Sequence, residues 1–193
     1  MRERAAFEPI RTAHLLLRPL QRDDAAAMFR YRADPEVARY QSWRPRSLAE
    51  IKRFIERNAA QAALAPDTWY QIGISAPDGT LAGDIGIHVT DEGRQVELGI
   101  TLEPAAQRRG FATEALTALL DRLFRELGKH RVFASVDPRN HRSVALMERL
   151  RFRAEGHFRS SLYIDHEWVD DLVFAMLQAE WLSRTAARHG EPG

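Results

Sequence analysis

Between residues 96 and 127 the chain passes from a strand into a helix with one buried face, and the join between the two carries most of the chemistry. Val96-Glu97-Leu98-Gly99-Ile100-Thr101-Leu102 reads as a strand that Glu103-Pro104 ends. Apolar residues then recur at Ala112, Ala115, Leu116, Leu119, Leu120, Leu123, Phe124 and Leu127, the i, i+3, i+4, i+7 spacing of an amphipathic helix. Gly128 follows as its C-terminal cap. Gln107-Arg108-Arg109-Gly110-Phe111-Ala112 fills the join. A strand that stops at a basic, glycine-containing loop and opens a helix presents unpaired backbone N–H groups with the positive end of the helix dipole behind them. Gly110 lets a ligand approach the backbone, and Arg108 and Arg109 add charge suited to phosphate. The backbone from Gln107 to Thr113 is therefore expected to hold a pyrophosphate.

The rest of the pattern supplies a sheet and its covering helices. Leu15–Leu20 reads as a first strand, and Asp23 and Asp24 begin a helix over Ala25–Arg32, where negative charge suits the dipole. Asp34-Pro35 restarts a helical turn. Ser47-Leu48-Ala49-Glu50 is a capping box before the stripe Leu48, Ile51, Phe54, Ile55, Ala59 and Ala62. Strands at Trp69–Ser75, Leu81–Thr90 and Val96–Leu102, separated by Pro77-Asp78-Gly79 and Asp91-Glu92-Gly93, predict an antiparallel meander. Val132–Val136 reads as a buried strand, Asp137–Asn140 as a turn and Ser143–Leu150 as a helix. Arg153–Tyr163 and Trp168–Leu177 read as closing strands. That order predicts one α/β domain with helices on both faces of a mixed sheet. Neither an internal repeat nor a linker interrupts it.

Composition narrows the function. A chain of 193 residues is long enough for a self-sufficient core. The absence of cysteine excludes a disulfide scaffold, a thiolate metal site and a cysteine nucleophile. No apolar run reaches the length of a membrane span, and Met1-Arg2-Glu3-Arg4 is not followed by a signal-peptide core, so the expectation is a cytoplasmic protein without a membrane partner. The 28 basic and 27 acidic residues nearly cancel, which argues against nucleic acid as a partner. Neither a Walker loop nor a dinucleotide fingerprint is present.

The order strand, anion loop, helix, strand, Asn-x-x-Ser helix, aromatic residue resembles the GNAT N-acetyltransferase superfamily. Its pattern [RQ]-x-x-G-x-[GA] is met by Gln107-Arg108-Arg109-Gly110-Phe111-Ala112, and N-x-x-[SA] by Asn140-His141-Arg142-Ser143. Leu17-Arg18-Pro19-Leu20 and a last strand ending near Glu180-Trp181 resemble the RimJ/RimL-like branch. The resemblance spans residues 12–182, with 1–11 as an N-terminal extension and 183–193 as a disordered tail. It implies a GNAT-like mixed sheet, with an antiparallel N-terminal meander, a parallel central pair and helices on both faces. Two positions depart from the pattern. Met147 stands where many members carry a tyrosine, and Arg151 stands where glycine usually precedes the phenylalanine, here Phe152. Arginine takes a left-handed conformation only at a cost, so a different turn is expected there.

The resemblance also implies acetyl-CoA as co-substrate, no metal, and transfer of acetyl to a primary amine (a protein N-terminal α-amine or a small molecule) by direct attack in a ternary complex. A non-catalytic acyl-CoA-binding module is the alternative, and a homodimer is admitted. Ile100 and Leu102 would run beside the pantetheine arm, Gln107, Arg108, Arg109, Gly110, Phe111, Ala112 and Thr113 would hold the pyrophosphate, and Asn140 would touch the coenzyme unless it serves only as a helix cap. Glu97 is the first candidate base and Glu103 the second. Asp84 and His88 share a face of the neighbouring strand and would meet the acceptor. Met147 has no proton to donate, and the resemblance to the RimJ/RimL-like branch, which commonly carries serine at the Asn-x-x-Ser position, implies Ser143 as the candidate for assisting the leaving thiolate. Trp43 with Tyr40, and Tyr163 with Trp168, would line the acceptor cleft. The carboxylates Asp165, Glu167, Asp170 and Asp171 would suit a cationic amine.

Overall fold

The computed structural model describes residues 6–41 and 43–189; the start of the N-terminal extension and residues 190–193 of the expected tail lie outside them. Eight strands form one sheet in the order β1-β2-β3-β4-β5-β6-β8-β7: β1 Ile10–Arg11, β2 Leu16–Pro19, β3 Trp69–Ser75, β4 Leu81–Thr90, β5 Gln95–Leu102, β6 Arg131–Val136, β7 Arg153–Ile164 and β8 Glu167–Leu177. All neighbours are antiparallel except β5 and β6. The helices are α1 Ala25–Arg32, α2 Pro35–Ala38, α3 Leu48–Ala60, α4 Phe111–Asp121, α5 His141–Arg149 and α6 Gln178–His189. The mixed sheet with one parallel pair and the antiparallel meander are as the pattern predicts.

Two cores lie on opposite faces. Ile85, Ile87 and Val89 of β4 join Ala115, Leu116, Leu119 and Leu120 of α4, Leu146 of α5 and Trp181 of α6 in the larger one. The alternate β4 positions point the other way: Asp84 bonds Tyr31 and Arg32 of α1, and α1 and α3 share the smaller core of Met28, Tyr31, Ile51 and Ile55. A strand buried on both faces reads as a continuous apolar run rather than an alternation, which is why β4 (LAGDIGIHVT) admits only one charged residue at its centre.

Local chemistry sets several boundaries. Arg18 of the Leu-Arg-Pro-Leu segment forks the Asp24 carboxylate at 2.7 and 2.8 Å, and Asp24 also accepts the Gln21 N–H at 2.7 Å. Ser47 caps α3 by accepting the Glu50 N–H at 3.2 Å. The reciprocal half of the expected capping box is replaced: Glu50 accepts from the Arg46 N–H at 2.9 Å and Trp43 Nε1 at 3.2 Å. Helix α4 continues beyond Asp121 as a π turn over Arg122–Glu126, whose Phe124 carbonyl accepts from Gln178 Nε2 at 2.7 Å, and Gly128 follows at φ +59°.

Strand β8 ends at Leu177, just before Glu180-Trp181 as expected, and the pair lies in α6, where Trp181 is buried and donates from Nε1 to Asp121 at 2.7 Å. Two expectations are corrected here. Helix α6 runs on to His189, into the stretch read as a tail. At the end of α5 the turn does not differ from the glycine version. Arg151 itself takes φ +61°, with its N–H on the Glu148 carbonyl at 2.8 Å and the Phe152 N–H on the Met147 carbonyl at 2.9 Å. Those two bonds are the Schellman pair, and satisfying both orphan carbonyls outweighs the strain of a non-glycine residue.

Candidate active site

Strands β5 and β6 pair over only three positions: Gln95 with Arg131, Val96 with Val132 and Glu97 with Phe133. Beyond Glu97 they part. Residues 98–102 pair with β4 alone, and residues 134–136 pair with β8 alone, so the facing backbone edges of both strands stay open. A cleft of about 570 Å³ fills the opening, lined by residues 97–101 of β5 and 134–137 of β6 and its turn. Asn140, Ser143 and Met147 of α5 form another wall. An extended ligand can add to an open strand edge through its own amides.

The anion loop adjoins this wall. Arg108 at φ +62° and Gly110 at φ +80° fold it, and the first backbone bond of α4 runs from the Glu114 N–H to the Gly110 carbonyl at 3.0 Å. The N–H groups of residues 110–113 are therefore the helix's free donors. Gln107 ties the loop down, donating to the Leu102 carbonyl at 3.2 Å and accepting from Arg142 of α5 at 2.8 Å. Arg109 lies over the Phe111 ring, 4.5 Å from its centroid, and the Phe111 side chain is in the core, so Phe111 offers a ligand its backbone alone. Arg108 is exposed and has no partner among the described residues. Leu102, unlike Ile100, is not part of the cleft wall.

Glu97 sits where the strands part. Its carboxylate is half-buried and reaches His88 Nδ1 at 3.5 Å across the β4–β5 pair. His88 is behind the cleft rather than in it, stacked on Trp69 with ring centroids 5.0 Å apart. Its Nδ1 is buried without a hydrogen bond. Ser143 Oγ makes no hydrogen bond among the described residues, and Ser143 lines the cleft. Asn140 does both things its position allows: its side chain caps α5 by accepting the Ser143 N–H at 3.2 Å, and it lines the cleft.

Asp84, expected to meet the acceptor, is fully buried and absent from the cleft wall. Its carboxylate accepts from Tyr31 Oη at 2.5 Å, Arg32 Nε at 3.1 Å, Arg32 Nη2 and Gln71 Nε2. Four donors saturate it. Burial pushes the Tyr31 hydroxyl well above its ordinary value and the Asp84 charge adds to that, so the phenol stays a donor. Burial works against the Arg32 charge, and Asp84 more than restores it. Arg32, Gln71 and Trp69 are what β4's neighbours actually present to the cleft. None of the three carries a signal in the sequence, because Arg32 and Asp84 are far apart along the chain and a helix-end arginine is commonplace.

The aromatic expectations divide. Trp43 lines the cleft, packed on Phe54 at 4.7 Å and held by its indole bond to Glu50. Tyr40 and Tyr163 also line it. Trp168 does not; it stands 62% exposed on the hairpin, against Tyr163. The acidic hairpin is largely neutralised: Asp165 pairs with Arg44 at 3.1 Å, Glu167 with Arg139 at 3.1 Å, and Asp171 accepts from Ser135 at 2.7 Å. Asp170 lines the cleft, held below the usual carboxylate range by the Ser160 N–H and His157. Glu103 is bound by Arg30 at 2.7 Å, outside the cleft wall.

Comparison with known proteins identifies the family. The model of the acetyltransferase (GNAT) domain matches residues 14–153. The chain belongs to the GNAT acetyltransferase family. It is 28% identical to the N-acetyltransferase YnaD of Bacillus subtilis over 172 residues, covering 89% of this chain and 98% of that protein. Over 84 residues it is 36% identical to the ribosomal protein uS5-alanine N-acetyltransferase of Escherichia coli, 44% of this chain and 43% of that one. Among solved structures, a GNAT acetyltransferase from Bacillus anthracis superposes with a TM-score of 0.81 at 26% identity, covering 90% of this chain and all of the other. The protein is thus an acetyl-CoA-dependent N-acetyltransferase that transfers acetyl to an amine. No helix among the described residues is long and apolar enough to cross a membrane.

Proposed function

We propose that this N-acetyltransferase acts on an α-amine, either a polypeptide N-terminus or a small amine of similar pKa, with Glu97 as the base, and that it works in the cytoplasm. One observation carries the reading. Of the carboxylates lining the cleft, Asp137 is bonded to Arg139 and Asp170 to Ser160 and His157; Glu97 alone has no hydrogen bond among the described residues, and it stands where the strands open.

The residues fit the coenzyme. The open edge of β5 beyond Glu97, with Ile100, suits a pantetheine arm, and the free N–H groups of residues 110–113 with Arg108 suit a pyrophosphate. Bound there, acetyl-CoA supplies an activated acyl group. The chain's own residues orient the amine and manage its proton. Glu97 takes the proton from the acceptor ammonium, directly or through a water, and Ser143 donates a hydrogen bond to the departing sulfur, a task Met147 cannot perform. An α-amine titrates at about 7.7–8.0 and a lysine side chain at about 10.4. A single carboxylate base, with His88 at 3.5 Å as its neighbour, suits the former. The α-amine assignment is also in keeping with the activity named for the uS5-alanine relative.

The test is thiol release with purified protein. Glu97→Gln is expected to lower kcat by ~10²–10⁴-fold with unchanged KM for acetyl-CoA, and Ser143→Ala by less. Peptides with a free N-terminus should outpace Nα-blocked lysine peptides at pH 7.5, with the gap narrowing towards pH 9.5. A Glu97→Gln loss below about tenfold would assign the proton to water, and lysine peptides winning at pH 7.5 would overturn the acceptor class.

A further inference from the structure

Among the described residues, Arg32 is the one cationic side chain in the cleft wall, and its charge is fixed from behind. It is 7% exposed, yet it lines the cleft. Nε and Nη2 engage both oxygens of Asp84. A guanidinium has five N–H donors; this fork consumes two, Tyr31 is a further hydrogen-bond partner, and no other acceptor for the rest is found among the described residues. The guanidinium carbon lies 5.2 Å from the centroid of the Trp43 ring, and Trp43 is itself pinned by Glu50 and Phe54. Arg32 therefore cannot swing to follow a ligand. It offers a planar, desolvated set of donors at one place on the wall, and the Asp84 carboxylate that neutralises it is saturated and turned away from the cleft.

An acceptor with a second ammonium meets only donors there. An acceptor with a carbonyl or carboxylate oxygen meets a charge-assisted partner. Resting on the α-amine reading above, we infer that Arg32 is a specificity-determining residue that binds an oxygen of the acceptor, so that the substrate class is amines carrying a carbonyl or carboxylate group, such as peptides and amino-acid amides, and polyamines are disfavoured. Nothing in the sequence singles out Arg32, and the coenzyme does not require it.

The experiment compares phenylalanine amide with phenethylamine, which shares the ring and amine but lacks the oxygen, each assayed at the pH that gives the same neutral fraction; phenylalanine and spermidine complete the panel. Wild-type protein is expected to show a kcat/KM for phenylalanine amide about 10- to 100-fold above that for phenethylamine, the range of a hydrogen bond to a charged group. Phenylalanine tells a carboxylate from a carbonyl as the preferred oxygen. Arg32→Lys keeps the charge but loses the fork, and should raise KM for the amide while leaving that for phenethylamine within about twofold. Equal kcat/KM for the two phenyl acceptors in the wild type, a comparison that needs no variant to fold, overturns the inference while the α-amine reading stands. So does an Arg32→Lys defect of the same size on both, which is the mark of a structural role. Turnover of spermidine alone would overturn both readings together.

Discussion

Asp84→Ala tests whether the carboxylate at the centre of β4 holds the fold or meets the acceptor. Asp84 is fully buried and Arg32 is 7% exposed, so the substitution leaves a guanidinium in the interior without its counter-charge. Breaking a buried pair from one side costs about 3–5 kcal/mol. Tyr31 and Gln71 lose their acceptor as well, but the vacated volume admits water to re-satisfy them, so a total of about 4 kcal/mol is expected. For a chain of this length each kcal/mol moves Tm by roughly 2–4 °C, which puts the drop at about 8–16 °C. Thermal unfolding followed by circular dichroism reads it, and urea titration should show a lower midpoint with an unchanged slope. A double variant, Arg32→Met with Asp84→Leu, removes both charges and should recover at least half of the loss, because apolar replacement of a buried pair is close to neutral. A Tm within about 2 °C of wild type for Asp84→Ala, with a raised acceptor KM, would refute the structural assignment and restore Asp84 as an acceptor contact.

Gly110→Asp should abolish calorimetric binding of coenzyme A, since it places a carboxylate among the free N–H groups; a Cβ there meets nothing within 4 Å, so folding should lose only about 1 kcal/mol to the left-handed backbone. Unchanged affinity would remove the pyrophosphate assignment. Arg151→Gly should stabilise by about 0.5–1 kcal/mol, because φ +61° costs glycine nothing; a fall in Tm would mean that the arginine side chain contributes more than its backbone strain removes. Burial opposes ionisation of Glu114, but bonds from Thr12 and His14 prevail and hold its carboxyl below the ordinary 4.5. A depressed carboxylate stabilises above its unfolded pKa and loses that contribution as pH falls through the folded one. Glu114→Gln should therefore cost about 1 kcal/mol at pH 7, with the cost shrinking as pH falls below 4.5 and through the folded pKa, and a cost independent of pH would show that the carboxylate charge plays no part.

The elements whose signals are local were legible without coordinates. Strands β3 and β4 and helix α1 begin and end where turn residues and apolar spacing put them. The anion loop was legible because its parts are adjacent in the chain: Gly110 takes the left-handed conformation, and the helix behind it leaves its first N–H groups free. Glu97 and Ser143 were reachable as candidates through the Asn-x-x-Ser and strand positions. Their membership in one cleft depended on β5 and β6 parting after three residue pairs, the last of them Glu97 with Phe133, and pairing length is decided between strands rather than within one. Tertiary structure also separated residues that look alike in sequence. Asp84 and Glu97 are both acids on the central meander, but helix α1 drives Tyr31 and Arg32 onto the first and leaves the second open to the cleft. Tyr163 and Trp168 are register partners across one hairpin, yet only Tyr163 reaches the wall. The acidic hairpin reads as an anionic surface until arginines from distant turns, Arg44 and Arg139, are brought onto it. Local spacing encodes which backbone conformations are cheap. Which side chains meet, and which charges remain unpaired, depends on contacts between segments far apart in the chain.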